Sequence, residues 1–97
     1  MSNHQNYRVS IGTKHRSAIA ALDFLKSECR THINDAGSAC EVSYWENALD
    51  VVEYLVRELQ EPELADHNMY LLDELEDFYG MRGDLCDRVR AYVGGAL

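Results

Sequence analysis

Proline occurs once in this chain, at Pro62, so almost nothing in its 97 residues forbids a helix. Long apolar runs are missing as well. No stretch approaches the roughly 20 residues needed to cross a bilayer. The opening MSNHQNYRVSIGTKHRS has no continuous apolar core of the kind a secretion signal carries. The expected location is therefore cytoplasmic. Cysteine is sparse and odd in number: Cys29, Cys40 and Cys86 show no short paired spacing, which argues for reduced, buried thiols over a disulfide framework.

Positive charge is also scarce. Lys and Arg total 9 against 17 Asp and Glu, a net charge of −8. Phosphate contacts need clustered cations, so direct nucleic-acid binding is not expected. Catalytic signatures are absent too. The glycines of GMRGD (80–84) do not have phosphate-loop spacing. Cys29 with His32, and Glu63 with His67, each offer two potential ligands, whereas a structural zinc site takes four. A cysteine nucleophile beside His15, His32 or His67 has no supporting flanking pattern. The acidic run DELED continues a helical leucine pattern and lacks the alternating ligands of a calcium loop. No enzyme activity, cofactor or metal is expected.

What is present is a chain with 46% hydrophobic residues, enough for one helical domain over 1–97. Tyr7, Val9 and Ile11 alternate with polar residues, so 7–11 reads as an extended lead-in within a flexible or extended 1–13. A first helix is predicted over about 14–33, with Thr13 as N-cap and Ala18, Leu22, Leu25, Cys29 and Ile33 inward. Residues 34–40 read as a loop. Ser43 and Glu46 form a capping-box pattern ahead of a second helix over 44–60, whose inner face carries Trp45, Ala48, Leu49, Val52, Leu55, Val56 and Leu59. Pro62 opens a third helix that runs to Tyr79, with Leu64, Asn68, Leu71, Leu72, Leu75, Phe78 and Tyr79 on one side and Gly80 as a left-handed cap. Asp84 caps a short fourth helix over 85–93, with Leu85, Val89 and Val93 inward. The expected fold class is all-α, a small bundle of about four amphipathic helices.

The charge is unevenly placed. Residues 1–40 hold five basic and three acidic groups, and residues 81–97 hold three and two. Residues 41–80 hold twelve acids against Arg57 alone, a local net charge of −11. Projected at 100° per residue, Glu63, Asp66, Asp73, Glu74 and Asp77 lie opposite the leucine stripe of the third helix, with Tyr70 among them. On the second helix Glu46, Asp50, Glu53 and Glu58 share the polar side with Tyr54. Acids near a helix C-terminus oppose its dipole, and one arginine cannot pair with so many of them. Such rule-breaking often marks function, and tyrosine is enriched at interface hot spots.

The partner-binding set is therefore Asp50, Glu53, Tyr54, Glu63, Asp66, Tyr70, Asp73, Glu74 and Asp77. The expected partner is a basic protein surface, that of a nucleic-acid-binding complex or a nuclease. Carboxylates on successive helical turns are about 5–6 Å apart, a spacing that imitates a phosphate backbone. In size, charge and compactness the chain is similar to the small acidic inhibitors of bacteriophages and mobile elements, such as DNA mimics and some anti-CRISPR or anti-restriction proteins. That likeness implies an inhibitor acting through protein–protein contact. Two other readings fit the same sequence. One is an immunity or antitoxin protein that neutralises a basic nuclease toxin. The other is a non-catalytic helical subunit or adaptor that self-associates through apolar surface.

Overall fold

The computed structural model describes residues 3–61 and 70–95, with side chains described for 15–61 and 70–93. Among the described residues the chain forms four α-helices and no strand: α1 (Asn3–Asp35), α2 (Ala39–Gln60), α3 (Tyr70–Asp77) and α4 (Gly83–Gly95). The fold is an all-α bundle.

The helix α1 begins well before the expected start. Residues 7–11, expected to be extended, are helical, and α1 runs through Thr13, which is not its N-cap. The reason is legible after the fact: Tyr7 and Ile11 are also spaced i, i+4, and an isolated strand would have no partner for its backbone groups. At 33 residues α1 is roughly 50 Å long, in keeping with a molecule 56 Å in its longest dimension.

Only residues 36–38 separate α1 from α2. The N-cap of α2 is Ser38, not Ser43. Its backbone is extended (φ −152°, ψ 161°), and its side-chain oxygen accepts from the Glu41 amide at 3.2 Å. Ser38-Ala-Cys-Glu41 has the same Ser-x-x-Glu spacing as the Ser43 sequence. It sits directly after Gly37, where the chain must already turn, so it wins.

The core forms where the apolar stripes meet. Ala18, Ala21, Leu22, Leu25 and Cys29 of α1 pack with Ala48, Val52 and Leu55 of α2, Leu72 and Leu75 of α3, and Leu85, Cys86 and Val89 of α4, joined by Tyr79 and Met81. Fully burying one such leucine stabilises the fold by about 1.5–3 kcal/mol relative to leaving it in water. The helix α1 packs along both α2 and α4, while α3 touches α2 and α4. Two contacts fix α4 antiparallel to α1: the His15 and Tyr92 rings lie 5.1 Å apart, and Arg82 sits 5.2 Å from the centre of the Phe24 ring.

One outward and one inward assignment are corrected. Glu58, expected among the polar residues of α2, is only 4% exposed. Three residues beyond Leu55, it lies on the shoulder of the apolar stripe. Phe78, expected in the core, is 61% exposed, and Tyr79 takes the inward place at 8%. The cause is the end of α3 at Asp77. Gly80 then adopts φ +67°, and the Met81 amide donates back to the Leu75 carbonyl at 2.9 Å. That left-handed conformation is the one expected of Gly80. Leu64 and Asn68 lie outside the described residues. The helix α4 starts slightly before Asp84: the Cys86 amide bonds the Arg82 carbonyl at 3.2 Å, so Arg82 occupies the cap position and Asp84 the first turn.

Candidate partner-binding surface

Helix α3 buries Leu72 and Leu75, and its period therefore turns Tyr70, Asp73, Glu74 and Asp77 away from the core. All four are exposed, Tyr70 by 64%. This is the part of the acidic face that the structure brings together on one element. Glu63 and Asp66, assigned to the same row, lie outside the described residues.

The row is not left entirely to water. Arg90 of α4 donates to Asp73 Oδ1 at 2.7 Å, to Glu76 Oε1 at 3.1 Å and to Asp87 Oδ1 at 2.8 Å. Burial disfavours the Arg90 charge, but its hydrogen bonds with Glu76 and Asp87 outweigh that, and its pKa stays above the ordinary arginine value. The scarcity of cations within 41–80 is thus partly relieved from outside that segment. No ion pair joins Glu74 or Asp77 to a cation among the described residues, so these two carboxylates are the outward remainder of the α3 row.

On α2 the predicted residues divide. Asp50 is exposed and lines a shallow depression with Ser43, Glu46, Asn47 and Leu49. Tyr54 is 37% exposed. Glu53 is half-buried and lines a different depression with Lys26 of α1, Val56 and Arg57. Glu53 therefore lies toward the α1 side of α2, where cations are near, whereas Tyr44, which meets Phe78 just beyond α3, marks the opposite flank. Glu46, Asp50 and Glu53 keep the i, i+4, i+7 spacing of one helical row, and Glu58 departs from it by being buried.

An aromatic cluster that helical spacing does not reveal lies beside the acids. Tyr44 and Trp45 open the second turn of α2, while Phe78 and Tyr79 follow the end of α3. The Tyr44 ring lies 4.7 Å from Tyr79 and 5.4 Å from Phe78, Phe78 meets Tyr79 edge-on at 4.9 Å, and Trp45 stacks on His32 at 3.9 Å. The Tyr44 hydroxyl donates to the Phe78 carbonyl at 2.6 Å. Burial and the neighbouring Glu74 charge raise the pKa of the Tyr79 hydroxyl, which places Glu74 within electrostatic reach of the cluster. Two aromatic doublets at helix ends were the available signal. The packing of α3 against α2 brings them together.

The remaining reactive side chains have ordinary structural positions. Cys29 and Cys86 are buried, and burial pushes both thiols up to about 11, so they stay protonated at neutral pH. Cys40 is exposed, contrary to the expectation that all three are buried. His32 is engaged with Trp45, and no cluster of three or more His, Cys, Asp or Glu suited to a metal ion occurs among the described residues. No described helix is long and apolar enough to cross a membrane. The arrangement offers carboxylate acceptors, tyrosine tips and an exposed ring, the chemistry of cation recognition. The chain matches no protein-family model, no curated protein and no solved structure.

Proposed function

We propose that this protein is a small acidic inhibitor that docks on a basic surface of a nucleic-acid-binding protein, in the manner of a nucleic-acid mimic of the anti-CRISPR or anti-restriction type. The observation that carries the reading is the outer side of α3. There Tyr70 is 64% exposed and Glu74 and Asp77 point away from the core, with Asp73 beside them. Asp50 and Tyr54 extend the acidic and aromatic character onto α2. Carboxylates fixed on a rigid helix attract a cationic groove over distance and raise the rate of docking.

The test is retention of bacterial nucleic-acid-binding proteins on the immobilised chain, with stepwise salt elution, for the wild type and for Glu74→Lys with Asp77→Lys. These two positions are chosen because Asp73 also holds α4 through Arg90. The double reversal is expected to abolish retention, and salt near physiological strength to weaken it in the wild type. Retention insensitive to both changes would refute the reading. Duplex DNA is then added: displacement supports occupation of the nucleic-acid groove. A stable ternary complex refutes mimicry and leaves an immunity-type binder acting beside that groove.

A further inference from the structure

We propose that Phe78 is the seat of an arginine side chain from the partner, its guanidinium lying over the exposed ring and hydrogen-bonded by Glu74 or Asp77. This rests on the reading of α3 as a partner-binding face and names the group it would recognise.

The chain already contains one complete example of this arrangement. The Phe24 ring, 47% exposed, is covered by the Arg82 guanidinium at 5.2 Å, and Asp84 holds that guanidinium with two hydrogen bonds of 3.1 and 2.5 Å. Phe78 reproduces two of the three parts. Its ring is more exposed, at 61%, Asp77 precedes it, and Glu74 lies one helical turn back, its carbonyl accepting from the Phe78 amide at 2.9 Å. Among the described residues no cation lies over this ring. The missing part has to be supplied in trans, and charge selects it: the surrounding surface is acidic, so the complementary occupant is a cation able to stack.

Arginine fits better than lysine. Its planar fork stacks on an aromatic face while still donating in plane to carboxylates, whereas an ammonium is a compact, strongly hydrated point charge. The ring is also held in place beforehand. It leans on Tyr44 and Tyr79, and its own carbonyl is tied to the Tyr44 hydroxyl. An arriving guanidinium would not have to order the ring, which lowers the entropic cost of binding.

The experiment titrates the intact protein with an oligo-arginine peptide and an oligo-lysine peptide of equal length at low salt, read by aromatic NMR shifts and calorimetry. The expected result is movement of the Phe78 and Tyr44 resonances with oligo-arginine and a preference for it over oligo-lysine. Phe78→Leu should weaken oligo-arginine binding roughly two- to fivefold, the size of one exposed cation–π contact, and leave oligo-lysine unchanged. Glu74→Gln should weaken both. Because Phe78 is exposed, its replacement is compatible with folding, checked by circular dichroism. Equal, salt-sensitive binding of both peptides that Phe78→Leu does not alter overturns the arginine seat while the acidic-surface reading stands. Failure of both peptides to bind overturns both readings. A particle of twice the 11.1 kDa chain mass that Phe78→Leu returns to monomer also overturns it, since a second copy then covers the ring.

Discussion

Replacing Arg90 with methionine removes the one guanidinium that binds Asp73, Glu76 and Asp87 together, while keeping a side chain of similar reach. The three contacts are unequal. The Arg90 side chain is 28% exposed, and its partners are 67% (Asp73), 34% (Glu76) and 72% (Asp87) exposed. The pairs with Asp73 and Asp87 are well solvated and belong near the bottom of the range for surface ion pairs, about 0.2–0.5 kcal/mol each. Glu76 is more sheltered, so its contact is nearer about 1 kcal/mol. Three carboxylates left without their common cation also repel one another. The expected loss is about 1–2 kcal/mol in all, or roughly 5–15 °C in Tm for a domain of this size. Urea unfolding at low and high salt is the assay. Added salt should recover part of the loss in Arg90→Met, because it screens the repulsion, and change the wild type much less. A double-mutant cycle with Glu76→Gln should return a coupling of about 0.5–1 kcal/mol. A loss below about 0.3 kcal/mol, with no altered salt response, would refute the argument that α4 offsets the charge of α3.

Two further outcomes concern the scaffold. Ser38→Ala removes the acceptor for the Glu41 amide and should cost about 1 kcal/mol in urea unfolding, whereas Ser43→Ala, inside α2, should cost less. Of the three thiols only Cys40 should react quickly with a thiol reagent in the native protein, with Cys29 and Cys86 reacting after denaturation. The same burial predicts alkaline weakening. The folded pKa values of Cys29 and Cys86 are raised from 9.0 to about 11, so their contribution is fully present below pH 9.0 and is lost as pH rises toward 11. Urea midpoints measured across that window should fall, and fall less steeply in Cys29→Ala with Cys86→Ala.

Much of the scaffold was legible because it rests on spacing. Leu22, Leu25 and Cys29, Val52 and Leu55, Leu72 and Leu75, and Leu85 and Val89 recur at helical intervals, and each is buried. Gly80 was legible for a related reason, since a helix that ends and turns back often needs a residue free to take positive φ. The boundaries were less so. Residues 7–11 satisfy a two-residue and a four-residue period at once, and two Ser-x-x-Glu sequences compete for the start of α2. Of the acidic set, the α3 residues Tyr70, Asp73, Glu74 and Asp77 follow from the period of one helix. The half-burial of Glu53 beside Lys26 of α1 does not, because it depends on where α1 lies against α2.

By itself the sequence determined an all-α chain, its inward stripes and an acidic stretch concentrated between residues 41 and 80, all of them consequences of the period of an isolated helix. The tertiary structure alone decided which charges are compensated and which rings are shared. Arg90 reaches Asp73 and Glu76 across 17 and 14 residues, and the Tyr44 hydroxyl reaches the Phe78 carbonyl across 34. Contacts at such separations depend on how helices pack and on where α3 ends, at Asp77, and no local pattern in the chain encodes that geometry.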